Sequence, residues 1–428
     1  MHSQAPARRR VIEEADTPTR RDPSPRSDPR PADPGIKSLP RGRQPKILLY
    51  SHDTTGLGNI RRTLLLADAM LEEYPGAAIL IVTGSPMIHA FRIRAGIDYI
   101  KLPCLDRVDA QRYEPRFLSR FSEEVYRTRR HLLRMTVGGF EPDLMIVDKR
   151  PRGIDGELID ALETLRWNGR PTRLVLGMRD ILDRPEKTRA SLTESGAFEA
   201  IERLYDEVWI YGEERVYATA TEYEFPDAVR ERSHYCGYLK RPTADRVGTR
   251  AEVPRVLVTA GGGSDGGDLI QAYLSGLGEV PRLTRLRTTI VFGPQLPDAR
   301  RLHFRSQYSH MPDVEMFDFD AHLEEHYARA DVVVSMAGYN TICELLSFGL
   351  RAVLVPRAAP VEEQTIRARR LHELGLFDIV EPGQLDPTRL LSKVLGQLAA
   401  PPHVSGSLEL GGLPRIRARA RALLEGGS

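Results

Sequence analysis

The sequence predicts an α/β protein of two parallel-sheet domains facing a cleft, preceded by a disordered tail. Three observations carry this. From residue 45 onward, apolar runs of strand length alternate with segments of helical periodicity. A strand, a glycine turn and a helix open the ordered chain at KILLYSHDTTGLGNIRRTLLLADAMLEE and open it again at RVLVTAGGGSDGGDLIQAYLSGL. And 428 residues, 41% of them hydrophobic, suit two cores better than one.

Residues 1–44 are rich in Arg, Pro, Asp and Ser and almost lack large apolar side chains, the composition of a solvated, disordered tail. The domain over 45–243 opens with the strand Ile47–Tyr50. Gly56 and Gly58 break it, and apolar residues then recur at helical spacing from Ile60 to Leu71. AAILIVTGS, PDLMIVDKRPRG, TRLVLGMRDILD and DEVWIYG continue the strand–loop alternation, and YCGYLKRP closes the domain. The second domain, 244–405, restarts at RVLVTAGGG and adds TTIVFGP, VEMFDF, DVVVSMAG, RAVLVP and DIVEP. Runs that are apolar throughout, rather than alternating, point to parallel strands covered on both faces. Residues 406–428 hold a last helix, LPRIRARARALLE.

Composition narrows the function. A net charge of +2 gives no global case for nucleic-acid binding. Three dispersed cysteines, Cys104, Cys236 and Cys343, fit no zinc or redox spacing and suggest a reducing compartment. No apolar run reaches the roughly 20 residues of a membrane helix, and no secretory h-region is visible, so the cytoplasm is the expectation.

Four stretches carry candidate chemistry. In GGGSDGG, Gly261, Gly263 and Gly266 satisfy G-x-G-x-x-G, but TTIVFGP ends without the ribose-binding acid of a dinucleotide site. A glycine turn whose amides approach a phosphate remains. HLEEH (His322–His326) spaces two histidines four apart without a third zinc ligand, and reads as a polar helix face. Asp318 and Asp320 of DFD flank Phe319 at a strand end, and no metal is expected there. In SMAGYNTICELLSFG, a helix starting near Asn340 would offer the free amides of Tyr339, Asn340 and Thr341, after Gly338, to a phosphate. Glu344 lies one turn further on, where a nucleotide presents its ribose diol, which a carboxylate can accept side by side. A helix-start acid without a ligand is the alternative. Glu363 and Gln364, opening the next helix after RAVLVP, would face the far side of the phosphates and suit sugar hydroxyls.

With these residues in place, ADVVVSMAGYNTICELLSFGLRAVLVPRAAPVEEQ resembles the C-terminal domain of glycosyltransferase family 28, the MurG-type enzymes. The resemblance implies a GT-B fold, two Rossmann-like domains about a cleft, over residues 45 to 425. It implies a nucleotide-sugar donor, UDP by family expectation, on the C-terminal domain. Ser264 and Asp265 fall at the diphosphate, Tyr339, Asn340 and Thr341 on the phosphate turn, and Glu344 on the ribose. Glu363 and Gln364 fall on the donor sugar, Arg241 of CGYLKR near the phosphates, and Phe319 and Asp320 at the base. Inversion at the anomeric carbon without metal or other cofactor is implied as well. SHDTTGLG, VDKRPRG and LGMRDILD suggest a separate bacterial branch.

One departure stands out. Where the family has a histidine after its first glycine loop, GLGNIRR has Asn59, which cannot take a proton at neutral pH. His52 or Asp180 is then the base, or the acceptor needs little base help, or transfer is lost. The acceptor, lipid-linked or small, is expected near Gly56, Gly58, Lys149 and Arg179. RYEPRFLSRFSEEVYRTRRHLLRM mixes arginine with apolar residues, as a segment resting on the inner membrane face would; a solvated surface helix is the alternative. A nucleotide-sugar hydrolase or epimerase, or a non-catalytic nucleotide-sugar binding protein, stays open on the same fold.

Overall fold

The computed structural model describes residues 43–52, 58–108, 112–167, 171–243, 252–262, 265–279, 285–320, 322–400 and 408–426. The tail over 1–42, Gly56, Gly263 and Ser264 lie outside the described residues.

The first sheet has seven strands, ordered Ile97–Lys101, Ala78–Thr83, Lys46–Ser51, Leu144–Asp148, Arg173–Arg179, Glu207–Tyr211 and Ser233–Tyr235. Every pairing within it is parallel. The second has six: Val314–Phe317, Arg287–Val291, Arg255–Thr259, Val332–Ser335, Arg351–Leu354 and Asp378–Ile379, again all parallel. Helices cover both faces, so Leu144–Asp148 and Glu207–Tyr211 are buried at every position. That is why these strands read as unbroken apolar runs. The GT-B architecture expected from sequence is observed.

Strand order reverses once in each sheet, between Lys46–Ser51 and Leu144–Asp148 and between Arg255–Thr259 and Val332–Ser335. In open α/β sheets ligands bind beyond the carboxyl ends of strands at such a switch point. Here the two switch points meet: Asn340, at the head of the helix Tyr339–Phe348, donates its side-chain amide to the carbonyl of Gly58 at 2.7 Å. Gly58 begins the helix Gly58–Glu73, and a Cβ there would stand 3.3 Å from the Asn340 amide nitrogen.

Gly266, the last glycine of the G-x-G-x-x-G pattern, has a packing role. A Cβ on Gly266 would come within 2.0 Å of that of Ala260, so only glycine lets the helix Gly267–Glu279 start this close to its strand.

The last helix, Gly412–Glu425, does not extend the second domain. Ile416, Ala420 and Leu424, spaced four apart, form its buried stripe. The helix packs on Gly58–Glu73 of the first domain, with Arg417 on Glu72 at 2.8 Å and Arg419 on Glu207 at 2.6 Å. Full burial of Ile416 and Leu424 contributes about 1.5–3 kcal/mol each toward holding the chain end there.

Candidate functional site

A cavity of about 260 Å³ lies where the switch points face one another. The second domain lines it with Gly261, Asp265, Phe319, Asp320, Gly338, Tyr339, Asn340, Thr341, Glu344, Glu363 and Gln364. The first domain contributes Gly58, Asn59, Arg61, Arg62 and Arg179. The structure thus brings most of the donor-side residues singled out in the sequence to one wall.

The turn before the helix Tyr339–Phe348 is an uncapped helix start. Gly338 precedes the helix in extended conformation without a side-chain cap, so the leading amides have no intrahelical acceptor and face the cavity. The Asn340 side chain is committed elsewhere, to Gly58 and to the guanidinium of Arg241. Arg241 also donates to the carbonyl of Arg61 at 3.2 Å, and its backbone amide to Ser347 at 2.9 Å. It stands behind the turn, tying the domains together, and does not line the cavity.

Glu344 is almost fully buried, yet its carboxylate borders the cavity. It faces Arg61 of the first domain as an ion pair. The Tyr327 phenol lies against the same carboxylate, and burial, then that negative charge, keep it protonated. At the head of the next helix, Glu363–Glu373, Glu363 pairs with Arg179 at 2.5 Å and with Arg357 at 3.9 Å. Burial alone would raise the Glu363 carboxyl, but the surrounding cations, Arg179 foremost, outweigh it and hold the pKa below the usual range. Arg357 also binds Asp265 at 2.9 Å. Gln364 stands beside it, 3.5 Å from the Arg357 amide.

On the first-domain side, Asn59 reaches the cavity and neither base candidate does. His52 is buried, with Nδ1 3.3 Å from the Asp148 carbonyl. That oxygen can only accept, so Nδ1 carries the proton and Nε2 is bare. Asn59 donates its amide to this nitrogen at 3.3 Å, while its own oxygen accepts from Arg62 at 2.9 Å. Burial, then Lys149, Arg150 and Arg62, push the His52 pKa well below the ordinary histidine value. Asp180 is fully buried. It accepts from Arg367 at 3.1 Å, the Ile181 amide at 2.8 Å and the Tyr238 hydroxyl at 2.7 Å. It is a structural anion between domains and has no path to an acceptor proton. Lys149 follows the strand Leu144–Asp148 in the left-handed region, φ 67°, and its ammonium pKa is pushed well below the ordinary value by burial, then by Arg179 and Arg150. It does not line the cavity.

The histidines of HLEEH serve the chain itself. His326 pairs with Asp320 at 2.7 Å and His322 with Glu324 at 3.3 Å, while Asp318 binds Arg305 at 3.1 Å. Among the described residues no group of His, Cys, Asp and Glu is arranged to hold a metal.

Sequence reasoning missed Arg61, Arg62, Arg357 and Tyr327. The two arginines stood in plain view in GLGNIRR, directly after Asn59; no local spacing marks the other two.

Residues 255–403 match the model of the glycosyltransferase family 28 C-terminal domain. A curated relative, the UDP-N-acetylglucosamine–N-acetylmuramyl-(pentapeptide) pyrophosphoryl-undecaprenol N-acetylglucosamine transferase of Haemophilus influenzae strain PittGG, is 29% identical over 156 residues, 36% of this chain and 42% of the relative. The match thus spans less than half of that relative's length. The fold extends further. MurG of Acinetobacter baumannii superposes with a TM-score of 0.51 at 15% identity, covering 88% of this chain and 95% of that one. A UDP-N-acetylglucosamine 2-epimerase superposes at 0.56 and 12% identity, covering 89% and 95%. Residues 255–403 are thus similar to the glycosyltransferase family 28 C-terminal domain, within a chain of GT-B fold.

Proposed function

We propose that the protein is a glycosyltransferase that moves a hexose-type sugar from a nucleotide diphosphate, UDP first among candidates, to an acceptor hydroxyl. One relationship carries the reading: the uncapped helix start Gly338–Thr341 and the Glu344 carboxylate share one cavity wall, a turn apart, inside the family 28 domain. A diphosphate fits the first and a ribose diol the second.

In the reaction, the bond from the anomeric carbon to the diphosphate oxygen breaks and its electron pair leaves with the diphosphate. The acceptor oxygen bonds to the opposite face of that carbon, inverting it, and releases its proton to water or a base. The helix amides and the cationic residues about the cavity stabilise the departing charge, so no metal is invoked. A positioned base typically adds 10²–10⁴-fold. Asn59 cannot supply this and His52 is closed off behind it, so slow transfer is expected.

The same observation favours a second reading, a nucleotide-sugar hydrolase, an epimerase or a non-catalytic binder. Product analysis separates them: free sugar, isomerised donor, or donor bound and unchanged.

The acceptor side is supported by a surface feature. Phe117, Leu118 and Phe121 are 71%, 52% and 55% exposed, next to Arg116 and Arg120, just ahead of the helix Ser122–Phe140. Arginine around exposed apolar rings suits an anionic lipid surface and hence a lipid-linked acceptor. No helix among the described residues is long and apolar enough to cross a membrane.

Calorimetric titration of UDP, GDP and dTDP into wild type and Glu344→Ala tests the core of the proposal. One nucleotide should bind, and tenfold or more weaker to the variant, about 1.4 kcal/mol. If none binds, or the variant binds equally, the donor site is misassigned.

A further inference from the structure

Both carboxylates assigned to the donor are already engaged, and in each case by an arginine of the other domain. Arg61, on the first helix, faces Glu344. Arg179, at the end of its strand, faces Glu363. A donor placing its ribose on Glu344 and its sugar on Glu363 therefore meets two occupied anions. The cavity is consistent with this: about 260 Å³ is below the roughly 300–1,000 Å³ of ligand pockets.

The pairs are close in charge, and neither shows the side-by-side hydrogen bonds that Arg62 makes to Asp148. Glu344 Oε1 and Glu363 Oε2 each lie against a guanidinium nitrogen, of Arg61 and Arg179 respectively, and Arg179 Nε has no hydrogen-bond partner among the described residues. A permanent latch would be expected to carry the side-by-side bonds that guanidinium and carboxylate make readily. Arg62–Asp148, just behind the cavity, does so, with contacts of 2.7–3.0 Å.

The reach is short. The carbonyls of Gly58 and Arg61 are tied to the Asn340 level of the helix, through Asn340 itself and through Arg241. Glu344 lies four residues on, about 6 Å along the axis. An arginine rooted beside Asn340 and extended to Glu344 returns to the helix start by rotating its own side chain.

We infer that Arg61 and Arg179 exchange partners on donor binding: carboxylate-bound in the empty cleft, they pass to the diphosphate when ribose and sugar take Glu344 and Glu363. The inference rests on the donor reading above. It gives the first domain a direct part in leaving-group stabilisation, and it makes the phosphates a condition for freeing the ribose site. A nucleoside alone must displace Arg61 and gives it nothing to bind.

The experiment is calorimetric titration of uridine and UDP into wild type, Arg61→Ala, Arg61→Gln and Arg179→Gln, with melting curves to confirm folding. In both Arg61 variants uridine should bind severalfold tighter, because Glu344 is unmasked. UDP should bind severalfold weaker, because the diphosphate loses its arginine. In Arg179→Gln, uridine should stay unchanged, since Glu363 lies beyond the nucleoside, while UDP-N-acetylglucosamine, titrated alongside as a donor that carries a sugar, should bind severalfold weaker than to wild type. Shifts of the same sign for uridine and UDP in the Arg61 variants overturn the exchange, as does uridine unchanged there. Equal affinity of Arg179→Gln and wild type for UDP-N-acetylglucosamine removes that arginine from it. Failure of UDP, GDP and dTDP alike to bind wild type overturns the donor reading itself, and the exchange with it.

Discussion

The side-chain amide of Asn59 donates to the unprotonated Nε2 of His52 across 3.3 Å, and Arg62, locked on Asp148, fixes that amide from its other end. Asn59 thus closes off the imidazole of His52. Asn59→His should place a proton acceptor at the cavity and raise the transfer rate, by up to the 10²–10⁴ of a positioned base. Single-turnover rates with a responsive acceptor measure it. An unchanged or lower rate locates the base elsewhere.

The same burial makes His52 an acid-sensitive group. Its folded pKa lies well below the unfolded value near 6.5, so below pH 6.5 the unfolded chain binds the proton first. Stability then falls with falling pH, by at most about 1.4 kcal/mol per pH unit from this one proton, and is unaffected by it above pH 6.5. Urea midpoints from pH 7.5 to 5 should drop less steeply in His52→Gln than in wild type. Parallel slopes would mean that His52 takes up protons while folded.

Asp180 should be a stability residue. Asp180→Asn leaves Arg367 buried with its charge uncompensated, at a cost of about 3–5 kcal/mol. Denaturant unfolding reads this directly. Near-wild-type stability with transfer abolished would restore Asp180 as a catalytic base.

Gly266→Ala should push the helix Gly267–Glu279 away from its strand, since the new Cβ meets that of Ala260 head on. Overpacking of this kind costs about 1–3 kcal/mol. The glycine turn would move with it, so UDP affinity should fall alongside the melting temperature. Lower stability with unchanged affinity would detach this turn from the nucleotide.

Reversing charge at Arg116 and Arg120, or placing aspartate at Phe117 and Phe121, should reduce sedimentation with anionic liposomes and leave UDP binding intact. Equal pelleting of all variants would make this an ordinary solvated surface.

What the sequence determined by itself was local. Strand-length apolar runs, glycine turns and helical periodicity gave both sheets, because each depends on neighbours within a few residues. The helix start at Tyr339 and the place of Glu344 on it were legible for the same reason: four residues on one helix fix their own spacing. Tertiary structure decided who answers them. Arg61 meets Glu344, Arg179 meets Glu363, and Arg367 buries Asp180, all across a cleft between residues far apart in the chain. The sequence sets the last helix apart without saying where it docks, and its arginines find Glu72 and Glu207 of the first domain. No period in a sequence encodes such pairings. They follow from how two separately folded sheets are set against each other, and that placement turned Asp180 from a candidate base into a buried counter-ion.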